Sequence, residues 1–224
     1  YYAERREKTT LIGLACPRLW DGCFCTSLGG APDDITGLDL MLYEDKAGYL
    51  LVEVSAKGAV LLEGLQAEEV DGEAPASDTS AGRVPVLPPE GWPALFDDRY
   101  WQRLAERCLS CHACTYVCPT CRCFDVRDDT VAVGPGYAHI QRLRAWDSCM
   151  ASAYRRIAGG HNPRPSKAQR LRNRYYCKFC YSPLDFGCVA CVGCGRCIAV
   201  CPVGIDIAEM LADLPALAHG ALAE

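Results

Sequence analysis

The first 65 residues hold short apolar segments separated by polar ones, which is the pattern of β-strands. These segments are "TTLIGLAC", "LDLMLYE", "GYLLVEVS" and "GAVLLEG", and the third alternates at Leu50, Val52 and Val54. A turn-type glycine in "EDKAG" joins the second segment to the third. We therefore predict an α/β or mostly β region over residues 1–70, with its strands arranged as a meander.

The pattern changes after residue 70. Residues 71–91 contain four prolines and little apolar periodicity, which is typical of a linker or an extended surface segment. From residue 92 onwards, apolar residues recur at three- and four-residue spacings, so we predict a mostly helical domain over residues 92–224. Its helix candidates are "PALFDDRYWQRLAERC", "AHIQRLRAWDSCMASAYRRIAGG", "PSKAQRLRNRYYCKF" and "IAEMLADL". The predicted fold class is α+β.

Two of the helix candidates have clear ends in the sequence. In the second candidate the apolar positions run from Ile140 to Ile157, and the pair Gly159–Gly160 supplies a stop. In the last candidate Asp206 is placed to cap the first turn, and the helix is expected to end before Pro215.

Cysteine is the residue whose frequency departs most from ordinary globular composition, with 17 in 224 residues. Such a content indicates either a disulfide scaffold or metal ligation. The odd number, the length of the chain and the tight C-x-x-C runs all oppose disulfides. Metal ligation is therefore the favoured interpretation.

Two cysteine runs repeat one spacing. "CLSCHACTYVCP" begins at Cys108 and "CVGCGRCIAVCP" begins at Cys191, 83 positions later. In two-cluster ferredoxins the C-x₂-C-x₂-C-x₃-C-P run gives three ligands to one [4Fe–4S] cluster and its fourth cysteine to the other. We therefore predict two [4Fe–4S] clusters and a dicluster ferredoxin-like domain. The first cluster is assigned to Cys108, Cys111, Cys114 and Cys201, and the second to Cys191, Cys194, Cys197 and Cys118.

Zinc is the main alternative for these eight cysteines. Structural zinc usually takes four ligands from two separated C-x₂₋₄-C pairs, so a third cysteine in phase and the C-P ending favour iron–sulfur clusters. Glycines at 193, 195 and 204 flank the second run, where a missing Cβ lets backbone N–H groups approach sulfur atoms. The alternative is that these glycines only permit a tight loop.

The charge distribution separates the two halves of the chain. Residues 1–100 carry eight basic and 18 acidic side chains, whereas residues 101–224 carry 15 basic and 10 acidic ones. The basic run between Arg164 and Lys178 is suited to neutralise negatively charged clusters or to contact a partner. A nucleic-acid surface is disfavoured because the whole chain is acidic, with net charge −5, and carries no nucleic-acid-binding motif.

Targeting features are few. No run of 18 apolar residues or signal peptide is present, so we expect a cytoplasmic protein that does not span a membrane. The chain opens without Met in the middle of a pattern, which indicates a fragment of a longer protein. No G-x-G-x-x-G motif follows a strand, so no dinucleotide site is predicted.

Eight of the other nine cysteines have two interpretations, and the ninth, Cys188, lies three residues before Cys191. A further metal centre would draw on Cys121, Cys123, Cys149 and one or both of Cys177 and Cys180, and the alternative is that these are small buried apolar residues. A third centre near the N-terminus would use Cys16, Cys23 and Cys25, with a fourth ligand from outside the sequence, against core packing or an unrelated thiol function.

Together these residues resemble one family. "GLACPRLWDGCFC", "CLSCHACTYVCPTCRCFDV", "RAWDSC", "AGGHNPR" and "KFCYSPLDFGCVACVGCGRCIAVCPVGIDI" are similar to the iron–sulfur β subunit of sulfhydrogenases and to its counterpart in anaerobic sulfite reductase. The resemblance covers most of the chain and is weakest over residues 65–92. Cys177, Cys180 and Cys188 depart from the family pattern, so the number of clusters does not transfer directly.

The resemblance implies a non-catalytic electron-transfer subunit of an oxidoreductase complex. In it, single electrons pass between a hydrogenase or reductase module and a flavin-containing, NAD(P)H-reacting partner subunit. The alternative is a subunit that contributes directly to a sulfur or sulfite reductase site through additional cysteine-bound metal centres. The resemblance also supports a third iron–sulfur cluster near the "CFC" element.

Overall fold

The protein consists of two compact units, Tyr1–Arg83 and Val84–Glu224. The computed structural model describes residues 1–46, 48–65, 67–77 and 83–221, so residues 78–82 of the predicted linker lie outside the described residues. Both units contain helices and the first contains a mixed sheet, which confirms the α+β class. No helix within the described ranges is both long and apolar enough to cross a membrane.

A short helix and a three-stranded sheet form the first unit. After helix α1 (Tyr2–Glu7), strand β1 (Ile12–Leu14) pairs in parallel with β2 (Leu40–Asp45), and β2 pairs antiparallel with β3 (Gly48–Glu53). These are the first three of the four predicted strands. The meander is wrong because β1 and β2 run in parallel, as the long connection between them allows.

The fourth apolar segment of this unit is a helix and not a strand. Helix α2 (Ala56–Glu63) follows Ser55, and its sequence "AKGAVLLE" is rich in Ala, Leu, Lys and Glu, which are strong helix formers. Its apolar residues do not alternate, and this absence of a two-residue period argues against the predicted strand. The sheet itself packs around Ala15, Met41 and Tyr43.

Asp39 fastens the elements of the first unit to one another. Its carboxylate accepts hydrogen bonds from Ser55 Oγ at 2.6 Å, from the Leu11 backbone N–H at 2.7 Å and from Arg6 at 3.2 Å. The hydrogen bond from Ser55, followed by that from Leu11, lowers the pKa of Asp39 to about 2. This one side chain therefore joins α1, the start of β1 and the start of α2.

We expect Asp39→Asn to loosen the first unit in a pH-dependent way. Because the folded state lowers the pKa of Asp39, its stabilisation is complete above the ordinary Asp value of about 4 and is lost as the pH falls towards 2. Hydrogen exchange over residues 1–83 should be faster in the variant at pH 7, and this difference should shrink at pH 3. Asp45→Asn, at an exposed position, is the control; equal exchange in all three proteins at pH 7 would refute the role of Asp39.

The second unit is built from short helices and one hairpin. Its elements are 3₁₀ turns at Pro89–Gly91 and Pro93–Leu95, helices α3 (Tyr100–Arg107) and α4 (Ala113–Tyr116), strands β4 (Phe124–Gly134) and β5 (Tyr137–Trp146), helix α5 (Lys167–Tyr176), a π-helical turn (Cys177–Tyr181), and helices α6 (Ser182–Phe186), α7 (Arg196–Ala199) and α8 (Ile207–Ala221).

An aromatic core positions α5 in this unit. The rings of Trp92 and Trp101 stack on each other, and Tyr175, Tyr176 and Phe179 pack around them. Ser166 and Gln169 form a capping box that fixes the first turn of α5, and this pair is a typical sequence pattern at a helix start. One face of α5 therefore packs on the large rings, and another buried face of the helix contacts the cysteine runs.

The helix predicted between the two cysteine runs is wrong. Residues 124–146 instead form an antiparallel hairpin, β4–β5, that turns at Gly134–Gly136, with a register shift between Thr130 and Ala132. Gly136 has φ +78°, a value suited to glycine in such a turn. Most residues of both strands are exposed on both faces, so the hairpin has no apolar face with which to reveal a two-residue period.

The C-terminal helix also differs from its predicted length. Asp206 caps it as predicted, since its carboxylate accepts from the Ala208 N–H at 2.6 Å. The helix then continues past Pro215 to Ala221. Proline removes one backbone hydrogen bond from a helix interior, and here the buried side chains of Leu211, Leu214 and Ala218 pack on both sides of it.

Candidate iron–sulfur centres

The two cysteine runs fold alike. Helices α4 and α7 lie at equivalent places, 83 positions apart, and the residues that precede them, His112 and Gly195, both have φ 64° and ψ −2°. Ser110 and Gly193 correspond in the same way, with φ 53° and 62°. A left-handed conformation costs a non-glycine residue about 1–2 kcal/mol. The first run therefore adopts the same loop although Ser110 and His112 are not glycines, and packing in the unit must offset the conformational cost.

Backbone N–H groups reach the cysteine sulfurs in both runs. The Ser110 N–H lies 3.4 Å from Cys108 Sγ, and the Gly193 N–H lies 3.5 Å from Cys191 Sγ. The Ile205 N–H donates to Cys201 Sγ at 3.2 Å. Donors of this kind favour the thiolate over the thiol, and hydrogen bonds to sulfur tune the potential of a bound cluster.

The predicted ligands of the first cluster line one cavity. Leu171, Tyr175, Ile205 and Ile207 supply apolar walls to the cavity that these cysteines line. Cys197 of the second run also reaches this wall. The cysteines of the cavity are Cys108, Cys111, Cys114, Cys201 and Cys197.

Cys191 connects two other members of the second predicted set. Cys191 interacts electrostatically with both Cys197 and Cys118, and burial raises the pKa of Cys191 to about 11. Thr120 Oγ1 donates to the Ala190 carbonyl at 2.7 Å, which ties the end of the first run to the start of the second. Cys118 thus interacts with Cys191, and Cys201 lines the cavity with Cys108, Cys111 and Cys114, while the exchange of fourth ligands stays a prediction.

Two buried cations from one face of α5 and the turn that follows it contact the cysteine runs. Arg174 is 3% exposed and donates to the Cys114 carbonyl at 3.3 Å, and its Nε has no hydrogen-bond partner among the residues described. Lys178 is 4% exposed and donates to Cys118 Sγ at 3.2 Å. The basic run between 164 and 178 includes both residues, but the sequence did not single them out.

These cations test whether the site fits iron–sulfur clusters. A buried cation is costly unless negative charge lies nearby, so Arg174 and Lys178 both require negative charge in this region. A [4Fe–4S]²⁺ core with four thiolates carries a net charge of about −2 and supplies it. No group of three or more His, Cys, Asp or Glu side chains within the described residues surrounds a single-ion position. The donors present fit a cluster with thiolates spread around a cavity.

The cysteines after the first run form a row of thiols. Cys121 donates to Cys118, and this hydrogen bond together with the charge of Lys178 lowers the pKa of Cys118. Cys149 likewise donates to Cys123, and Cys149 interacts electrostatically with Cys121. The row therefore runs in the order Cys118, Cys121, Cys149 and Cys123.

The structure does not bring all members of the predicted further centre together. Cys180 is buried on another side of the unit, where its Sγ lies 3.9 Å from the Pro89 carbonyl oxygen and near Glu90 and Asp185. Cys177 begins the π-helical turn and interacts with Tyr181. Only Cys121, Cys123 and Cys149 of the five lie in the row of thiols.

The thiols of the first unit lie near one another. Cys25 opens a 3₁₀ turn, Cys25–Leu28, and interacts electrostatically with Cys23 and Cys16. Burial raises the pKa of Cys25. Cys16 is exposed, and its backbone N–H donates to the Pro32 carbonyl at 3.0 Å. The "CFC" element and Cys16 are thus held on adjacent loops, as predicted from the sequence.

Comparisons with known proteins agree with this site. Residues 107–205 match the 4Fe-4S dicluster domain family. The chain is 35% identical to sulfhydrogenase 2 subunit beta of Pyrococcus furiosus, over 96% of this chain and 65% of that protein. It thus spans a little under two thirds of the relative's length, and no solved structure matches it. The predicted dicluster domain and the resemblance to sulfhydrogenase β subunits are confirmed.

Proposed function

From its 4Fe–4S dicluster domain and its likeness to a sulfhydrogenase β subunit, we propose that this chain is an iron–sulfur electron-transfer subunit. It relays single electrons between a hydrogenase or reductase module and a flavin-containing, NAD(P)H-reacting partner subunit. The observation that carries the proposal is the convergence of two equivalent cysteine runs, with Cys197 in the wall of the cavity lined by Cys108, Cys111, Cys114 and Cys201.

The residues around the cysteines suit a relay. Two [4Fe–4S] clusters would supply one-electron redox chemistry when bound to the two sets. Met150, Leu171 and Ile207 line the first set with apolar surface, and backbone N–H groups at Ser110, Gly193 and Ile205 approach the sulfurs of Cys108, Cys191 and Cys201. Because Cys118 and Cys201 would each ligate the cluster of the opposite run, they would tie the two runs together and fix the distance between the clusters.

The β4–β5 hairpin supports a place in a complex. A two-stranded hairpin is marginally stable by itself in water. In this hairpin large apolar residues are exposed, among them Val133, Tyr137, Ile140 and Trp146. A partner subunit would cover such residues and stabilise the arm. The many free thiols further favour a reducing compartment such as the cytoplasm.

Metal analysis of anaerobically purified protein tests the relay. We expect about eight iron atoms and eight acid-labile sulfides per chain, the content of two [4Fe–4S] clusters. The electron paramagnetic resonance spectrum of the dithionite-reduced protein should show magnetic interaction between two clusters, because the cysteine sets are adjacent. Zinc without iron, or a spectrum of one isolated cluster, would refute the proposal.

A third cluster near the N-terminus is a finer proposal that the same analysis extends. Cys16, Cys23 and Cys25 would provide three ligands, with the fourth from outside the described residues. In the full-length protein we expect about twelve iron atoms, falling to about eight in the Cys23→Ser variant. Cys188→Ser, at an exposed position in the second unit, should leave the iron content unchanged. Equal iron in the wild type and Cys23→Ser would remove the third cluster and leave the relay intact.

A further inference from the structure

Two thiols that the predicted clusters do not use face each other at the base of the hairpin. Cys123 directly precedes β4, and Cys149 follows β5 by three residues. The Asp147 N–H donates to the Cys123 carbonyl at 3.1 Å, which extends the strand pairing by one step and holds the two segments side by side. The Cys149 S–H donates a hydrogen bond to Cys123 Sγ.

The surroundings make this pair chemically unequal. Cys123 Sγ also accepts from the Cys149 backbone N–H and from the Tyr154 hydroxyl, and Arg155 lies nearby. These donors, the Cys149 thiol first, lower the pKa of Cys123, whereas the same hydrogen bond and burial raise the pKa of Cys149. A thiol with a lowered pKa beside a second thiol is the arrangement of a reactive dithiol.

A short path joins this pair to the first cysteine set. Thr115 follows Cys114 in the chain and donates from Oγ1 to Ser148 Oγ at 2.8 Å. Ser148 is 0% exposed and immediately precedes Cys149. One hydrogen bond therefore bridges the backbone that carries a predicted cluster ligand and the backbone that carries Cys149. Met150, the next residue, lines the cavity of the first set.

We propose that Cys123 and Cys149 are a redox-active dithiol that stores two electrons in reversible exchange with the two clusters. This inference rests on the proposed relay, and it assigns to the chain a two-electron site that the relay alone does not contain. Single electrons that arrive one at a time through the clusters would be paired at this site.

The exchange balances in atoms and electrons. On oxidation the Cys149 S–H bond breaks, one Sγ–Sγ bond forms with the Cys123 thiolate, and one proton leaves to solvent on the half-exposed side of Cys123. Two electrons leave the sulfurs, and each of the two clusters takes up one of them. On reduction both electrons return to the sulfurs, the Sγ–Sγ bond breaks and Cys149 regains its proton.

The test uses anaerobic holoprotein equilibrated at a series of potentials, followed by differential alkylation and mass spectrometry. We expect Cys123 and Cys149 to become protected from alkylation together, as one disulfide-linked peptide pair. The ratio of dithiol to disulfide should change about tenfold for each 30 mV, which is the response of a two-electron couple. In Cys149→Ser, Cys123 should stay fully alkylated at every potential. Cys188→Ser should behave as the wild type.

Two results would overturn the dithiol. Free thiols at both positions over the whole range would exclude the couple, and loss of iron in Cys149→Ser would make Cys149 a metal ligand instead. Electron paramagnetic resonance on the same samples separates this inference from the relay. Clusters that are reduced normally while both thiols stay free would refute the dithiol and leave the relay standing.

Discussion

Replacement of Cys201 by alanine is expected to remove or degrade the first cluster and to leave the second intact. Cys201 belongs to the second run by sequence, yet its thiol lines the same cavity as Cys108, Cys111 and Cys114. Cubane clusters require a ligand at each iron, and alanine supplies none. Iron content should fall from about eight towards about four per chain, or the first cluster should lose one iron and become a three-iron form.

Cys118→Ala is the reciprocal variant. It should damage the second cluster, because Cys118 lies with Cys191 and Cys197 although it belongs to the first run. Mössbauer or electron paramagnetic resonance spectra of the two variants should therefore differ. The spectrum of Cys201→Ala should match that of Cys108→Ala, and the spectrum of Cys118→Ala should match that of Cys191→Ala. If Cys201→Ala instead matched Cys191→Ala, each run would hold its own cluster and the exchange of ligands would be wrong.

The cysteine spacing carried more information than the apolar pattern did. The two runs at Cys108 and Cys191 predict a repeated loop, and the structure repeats it down to the left-handed residues His112 and Gly195. Ligands of one cluster must point at one place, so the spacing of a cluster-binding run restricts its backbone and predicts its local shape. The spacing of the "CFC" element likewise brings Cys23 near Cys25.

Periodicity failed where burial does not control the pattern. The segment 138–146 has apolar residues at helical spacings, but it pairs with β4 in an exposed hairpin. With both faces exposed, hydrogen bonding between strands and the glycines of the turn decided the conformation. In α2 the opposite happened, because strong helix formers outweighed a short apolar run that suits a strand equally well.

The buried cations could not be predicted from the sequence individually. Many basic residues lie between 164 and 178, and only the packing of α5 on the aromatic core decides which of them turn towards the cysteines. Arg174 and Lys178 are one helical turn apart and lie on this face, whereas Arg172 contacts Phe96 and Asp97. A difference of two positions along the helix therefore separates a charge that faces the cysteine sets from one that does not.

Replacement of Arg174 by methionine should lower the potential of the first cluster. Reduction adds a negative charge to a cluster, and a nearby cation favours that reduced state. A unit charge roughly 7 Å away, at an effective dielectric constant of about 20, contributes about 2 kcal/mol, or on the order of 100 mV for one electron. Lys178→Met should act in the same way on the second cluster, because Lys178 contacts Cys118. Arg172→Met is the matched control on the same helix and should shift either potential by much less.

In the apoprotein, which lacks clusters, the same Arg174→Met variant should stabilise the fold. Without clusters, the buried guanidinium of Arg174 lies beside thiols whose pKa burial raises, such as Cys114, and so lacks the negative charge that it requires. An unpaired buried charge typically costs about 3–5 kcal/mol. Removal of iron should therefore lower the free energy of unfolding more in the wild type than in Arg174→Met. Denaturant unfolding of each protein with and without iron measures this difference. A variant that lowered the potential without stabilising the apoprotein would show that Arg174 acts on the cluster only from a distance, and equal potentials and stabilities in both proteins would exclude the charge pairing altogether.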